Sequence, residues 1–312
     1  MHVPDHVLTD GTALGAAVIS LGAVGCAVWR SRRDLDRDKL LMTAGVTAFV
    51  FAAQMINYPV TPGTSGHLIG AALAVVLLGP WLALLSTSTV LVVQALVFGD
   101  GGVTALGVNV LLMAVVPVVA SAAVVAASGA LRGGRRRVTV ASGVAAGLSV
   151  PVAAAVFTGL YLLGGAATVS AGGLLVAMTG VHALIGIGEA AITALVVVLV
   201  ATFAPESLWA GRATATRPAA RPAVARGLIG AGLVLTVVAL VGSSAPDGLE
   251  SVGLRFGFGS GVGAGWAPLA DYGSVLGVPV TLAGIVGIGL CLAVSAAVLR
   301  LSAGSTLSSR RA

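Results

Sequence analysis

The sequence predicts an all-α polytopic membrane protein: a seven-helix bundle followed by a two-helix C-terminal module. Three observations carry this prediction. Hydrophobic residues make up 57% of the 312 and charged residues only 9%, where a soluble domain carries about a quarter charged. Apolar residues fall in long uncharged runs, most near or above the roughly 20 residues that cross a hydrocarbon core. Basic residues gather in short clusters between those runs, as cytoplasmic loops require.

The runs lie at 12–29, 40–57, 67–98, 104–127, 138–163, 173–203, 226–243 and 278–299. The first follows Asp5 and Asp10 and precedes Arg30, Arg32 and Arg33, the reverse of a secretory signal, so the N-terminus is expected to be retained. The third run is too long for one crossing, because 32 helical residues measure about 48 Å against a core of about 30 Å. It is expected to cross twice, breaking at Gly79–Trp81 or at Ser86–Thr89. With nine spans, 16 of the 17 basic residues fall on one side and only Arg255 on the other. The expected orientation in the cell membrane is an outside N-terminus and a cytoplasmic C-terminus. The Ala, Pro and Arg-rich stretch 205–225 reads as a cytoplasmic linker. It separates a seven-span unit, 1–204, from a two-span unit, 226–301, with a cytoplasmic tail at 302–312.

The net charge of +6 does not indicate nucleic acid, since the basic residues are not interleaved with aromatics on a soluble face; membrane lipid is the surrounding partner. Cys26 and Cys291 lie in separate apolar runs and read as buried small residues, not as a metal pair. Pairs such as Ala13 with Ala17 and Ala23 with Ala27 would allow close helix packing.

Chemistry concentrates at the start, "MHVPDHVLTD". A free N-terminus followed by His2 offers the α-amino group of Met1, the His2 amide nitrogen and the His2 imidazole. Fused chelate rings hold these nearly coplanar, which suits Ni(II) or Cu(II) and leaves one position open. His67, in the turn "PGTSGH" at the outer end of a span, can fill it, with Gly63 and Gly66 allowing the tight backbone. His6 either supports the site or is a solvated loop histidine. Gln54, Asn57, Gln94 and Asn109 lie within or at the ends of spans, where they either position the N-terminal segment or join helices. Glu189 is the acidic residue deep in an apolar run, and His182 lies two turns before it on the same face, so the two are expected to pair, either holding the bundle together or serving as a proton or metal relay. A phosphate-binding loop is missing, because the sole lysine, Lys39, follows Asp38; ATP hydrolysis would need a separate subunit. A secondary transporter would call for inverted repeats, which are not evident, and a membrane metalloprotease for His-Glu-x-x-His, which the chain lacks.

The segments "MHVPDHVL", "FAAQMINYPVTPGTSGHLIGAALAVVLLGPW", "LVVQALVFGDGGVTALGVNVLLMAVV" and "GVHALIGIGEAAITALVV" resemble the CbiM/NikM family. Its members are the metal-specific membrane components of energy-coupling factor (ECF) transporters for nickel and cobalt. The resemblance implies a non-catalytic substrate-capture component with no cofactor, carrying Ni(II) or Co(II) as cargo. It implies ligands at Met1, His2 and His67, and partners in a CbiQ/NikQ-like coupling protein and CbiO/NikO-like ATPase subunits. The family's usual start has glycine where this chain has His6. The segments "APDGLESVG" and "PLADYG", with acidic residues Asp247, Glu250 and Asp271, resemble the small PDGLE (NikN-like) component, whose fusions accompany nickel systems more than cobalt systems.

Overall fold

The computed structural model describes residues 1–32, 35–210, 240–258, 267–269 and 280–303, together with Gly232, Val234 and Val237. Residues 1–204 form seven helices: α1 (Asp10–Ser31), α2 (Arg37–Gln54), α3 (Ala71–Leu78), α4 (Pro80–Phe98), α5 (Leu106–Ala127), α6 (Arg135–Gly164) and α7 (Ala171–Phe203). Of these, α1, α4, α5, α6 and α7 are each long and apolar enough to cross a membrane. Their outward faces carry bare apolar side chains, with Leu14 and Leu21 of α1 67% and 72% exposed. Such a surface is stable only against lipid tails.

The connection between the second and third apolar runs, expected as a turn, is a hairpin: β1 (Asn57–Thr61) and β2 (Thr64–His67) are antiparallel and pair Asn57 with His67. Pro59 has no N–H for a helix, and Gly63, at φ +76°, makes the reversal. The third run does break at Gly79–Trp81 and not at Ser86–Thr89, since Gly79 has φ +82° and Pro80 opens α4. Its first part, however, is no span. Eight residues measure about 12 Å, and all eight are buried among neighbouring helices. Hairpin and short helix together replace one crossing.

Helices α4 and α5 each contain a π-wound turn, at Gln94–Phe98 and Leu111–Val115. Such turns are rare and frequent at functional sites.

The C-terminal residues pack on the bundle. Helix α8 (Gly248–Phe256) lies against α7 and β2, and α9 (Val280–Ala303) against α2 and α4. Buried hydroxyls tie the latter three, Thr47 Oγ1 lying 2.9 Å from both Ser86 Oγ and Ser295 Oγ. In the 226–243 run the described residues Gly232, Val234, Val237 and Leu240 are helical. The start of the expected linker is fixed, because Trp209 and Ala210 donate backbone bonds to Leu77 and Val76. Residues 211–225, the tail from 304 and Asp271 lie outside the described residues. Cys291 is buried as expected, but Cys26 is exposed on the outward face of α1.

Candidate metal centre

The first nine residues run into the bundle instead of lying on its surface. Thr9 N–H donates to Gly164 O and Ala166 N–H to Val7 O, which ties the segment to the α6–α7 connection. Asp5 Oδ1 accepts from Thr104 and Ala105 N–H at the start of α5. Gly102 lies so close to Asp5 that a Cβ there would collide with its carboxylate. Deeper in, Val3 is clamped at both ends by one side chain: its N–H donates to Asn109 Oδ1 (2.7 Å) and its carbonyl accepts from Asn109 Nδ2 (3.0 Å). These bonds carry Met1 and His2 to the centre, where both are buried.

Three nitrogen groups meet there. The Met1 α-amino nitrogen lies 2.6 Å from His67 Nε2, and the His2 and His67 rings stack with centroids 5.1 Å apart. His67 Nδ1 faces Leu68 O at 3.1 Å, so its N–H is used there and Nε2 offers its lone pair to the site. His2 places Nε2 3.1 Å from Gln94 Oε1 and Nδ1 3.1 Å from Asp100 Oδ1. Burial pushes the His2 imidazolium down to about 4; Asp100 opposes this, while the Met1 ammonium and His67 add to it. The ring is therefore neutral near pH 7 and has one N–H to satisfy two oxygens. A cation on Nδ1 removes that conflict while Gln94 holds Nε2–H, the usual support of a metal-bound histidine.

A fourth group arrives from the C-terminal unit. Asp247 Oδ2 is 2.5 Å from the Met1 nitrogen and 3.7 Å from His67 Nε2. Burial alone would raise its pKa, but the Met1 ammonium in contact with Oδ2 outweighs burial and holds the carboxyl well below its usual range. Donor atoms of His2, His67 and Asp247 all lie within 4.8 Å of one another.

The remaining predicted residues have other tasks. Gln54 Nε2 donates to Ile69 O, while Glu189 accepts from the N–H groups of Ile69 (2.9 Å) and Gly70 (2.9 Å). Both thus hold the turn between His67 and α3, with Glu189 at the positive end of that helix. The expected His182–Glu189 pair does not form. Seven residues along a helix put the two about 10 Å apart, and His182 Nδ1 bonds Met178 O instead. His182 Nε2 is buried with no hydrogen-bond partner among the described residues, and its Cε1 lies against Gly248, the neighbour of Asp247. Asn57 does not hold the N-terminal segment; its carbonyl accepts from Ser243 N–H. His6 is exposed at φ +66°, the backbone conformation that a glycine adopts freely and histidine tolerates better than most residues.

Asp100 and Asp247 escaped the sequence reading as site residues. The signal for Asp100 lies in "FGDGG", an acidic residue between glycines; Asp247 lies 180 residues beyond His67, and only its resemblance to a separate component marked it.

The family model for the cobalt uptake substrate-specific transmembrane region matches residues 2–207. The fused nickel transport protein NikMN of Rhodobacter capsulatus is 42% identical over 143 residues, which are 45% of this chain and 41% of that protein. The cobalt transport protein CbiM of Sorangium cellulosum is 36% identical over 118 residues, 37% of this chain and 52% of that one. A crystal structure of a transition metal transporter matches with a TM-score of 0.57 and 29% identity, covering 63% of this chain and 91% of the other. The chain belongs to the CbiM family of cobalt-uptake, substrate-specific transmembrane proteins.

Proposed function

We propose that this protein captures a divalent nickel or cobalt ion for uptake, holding it on the Met1 α-amino nitrogen, the His2 amide and imidazole nitrogens, and His67 Nε2. The observation that carries this reading is the convergence of the Met1 amine with two histidines whose other ring nitrogens already face oxygen partners. A planar set of nitrogens, including a deprotonated amide, favours Ni(II) over Co(II). The test is the metal content of the purified protein after exposure to equal nickel and cobalt: one ion per chain, mostly nickel, is expected, and neither metal retained would refute capture.

The site end of the bundle gathers the backbone bonds of Thr9 with Gly164, of Ser243 with Asn57 and of Gly102 with Val3. The opposite end gathers the basic residues near Arg135, whose Nη1 donates to Thr202 Oγ1, with Arg132, Arg136 and Arg137. This sorting supports a site end facing outside and a basic end in the cytoplasm. Uptake driven by ATP then calls for a coupling protein and ATPase subunits of the ECF type on the basic side. Residues 1–204 form the capture unit, and 226–301 a module fused to it through 205–225.

A further inference from the structure

We propose that Asp247 is a donor to the captured ion, so that the C-terminal unit completes the metal site of the N-terminal one. This rests on the capture reading above. The carboxylate divides its two oxygens between two tasks. Oδ1 caps α8, accepting from Leu249 N–H (2.8 Å) and Glu250 N–H (2.9 Å). Oδ2 takes no part in the cap and points at the Met1 nitrogen and His67 Nε2. Donors bound at roughly 2.0–2.2 Å to one first-row ion stand roughly 2.8 Å apart when adjacent and up to roughly 4.4 Å when opposite. Met1 N, at 2.6 Å from His67 Nε2 and 2.5 Å from Asp247 Oδ2, stands a few tenths of an ångström inside the adjacent spacing, and the 3.7 Å between His67 Nε2 and Asp247 Oδ2 lies between the adjacent and opposite spacings, so one ion reaches all three donors once the amine opens and the carboxylate closes toward the imidazole.

The position of Asp247 is built into the fold. Ser65 N–H donates to Pro246 O (2.9 Å), Ser65 Oγ to Ala245 O (2.6 Å), and Thr64 Oγ1 meets Ser251 Oγ (2.9 Å). The segment 243–251 is thereby laid along the strand that ends in His67. A Cβ on Gly248 would press on Ile185 and His182, so this glycine lets the segment approach closely enough for its aspartate to reach the amine. Four nitrogens with one carboxylate oxygen form a tetragonal N,O set, a geometry that Ni(II) accepts.

The test compares the full wild-type chain with Asp247→Asn in detergent, using Ni(II) alone as probe. Asparagine caps helices as well as aspartate does, so α8 and the fold persist while the donor oxygen loses its charge. Nickel affinity is expected to fall about 10–100-fold in the variant. The nickel X-ray absorption edge is expected to change too: planar four-coordinate Ni(II) gives a pre-edge peak that a fifth donor suppresses, so the peak should be weak in wild type and strong in Asp247→Asn. A strong peak in both proteins, even with weaker binding in the variant, reduces Asp247 to a nearby charge and overturns the proposal, as does an unchanged affinity and spectrum. A wild-type chain that binds neither nickel nor cobalt overturns the capture reading itself. Asp247→Glu, which keeps the carboxylate, should hold the peak weak if the oxygen is a ligand.

Discussion

The α-amino nitrogen of Met1 stands 2.6 Å from Nε2 of His67, although 66 residues separate them in sequence. The first atom of the chain therefore sits against an imidazole at the end of a strand, inside a membrane protein, and both residues are buried.

An N-terminal extension tests this contact most directly. One added residue turns the amine into a peptide amide while leaving every side chain in place. Isothermal titration with Ni(II) should then show affinity reduced by more than about 100-fold, as for His2→Ala and His67→Ala, beyond the loss typical of supporting residues. A C-terminal tag should leave affinity unchanged.

Asn109 holds Val3 by two hydrogen bonds, and Asn109→Leu leaves the Val3 N–H buried without a partner. The variant is expected to lose about 1–3 kcal/mol of stability and to bind nickel about 10–100-fold more weakly. Thermal unfolding in detergent and titration read the two effects separately.

His6 occupies the left-handed region at φ +66°. His6→Gly should unfold within a few degrees of wild type and bind nickel equally well. His6→Val, with a β-branched side chain in that region, should cost about 1–2 kcal/mol. Equal stability for both variants would show that the N-terminal segment does not hold this conformation.

The pH dependence follows from His2. Its folded value of about 4 lies below the ordinary 6.5, so between these values the unfolded chain binds more protons than the folded one. Stability of the metal-free protein should therefore be full above pH 6.5 and fall as pH drops toward 4. Asp247 acts lower, since its stabilisation is lost only below the usual carboxylate range. His2→Gln should flatten the loss between pH 6.5 and 4, measured by unfolding midpoints.

Orientation is checked by labelling. In a chain without Cys26 and Cys291, a cysteine at Ala167, on the exposed site end, should react with an impermeant reagent in intact cells, and one at Gly134, exposed at the basic end, should not. The opposite pattern would invert the proposed topology.

Most of the fold was legible because lipid imposes it: six of the eight apolar runs reappear within a few residues as helices α1, α2, α5, α6, α7 and α9. What periodicity missed is local. The connection at 57–67 read as a turn with no strands assigned, yet Pro59 and Gly63 make a paired hairpin there, and the eight-residue α3 is hidden in a run long enough for two spans. In the site, Met1, His2 and His67 stood out by residue type. Asp247 did not, because a loop aspartate 180 positions away has no spacing relation to a histidine; only the bonds between 243–251 and β2 bring it near. His182 and Glu189 share a helix face, but the rise along the axis keeps them apart, which face patterns alone do not encode.

The anchors of the N-terminal segment have a consequence for biosynthesis. Residues 1–9 are held by Asn109, by Gly102 and Thr104, and by Gly164 and Ala166, all of which emerge from the ribosome after them. The segment 1–9 is thus seated only after α6, which carries Gly164, has been made. Any group left on that amine during the wait, such as an acyl cap, would travel into the finished bundle and deprive the proposed metal site of one of its donors.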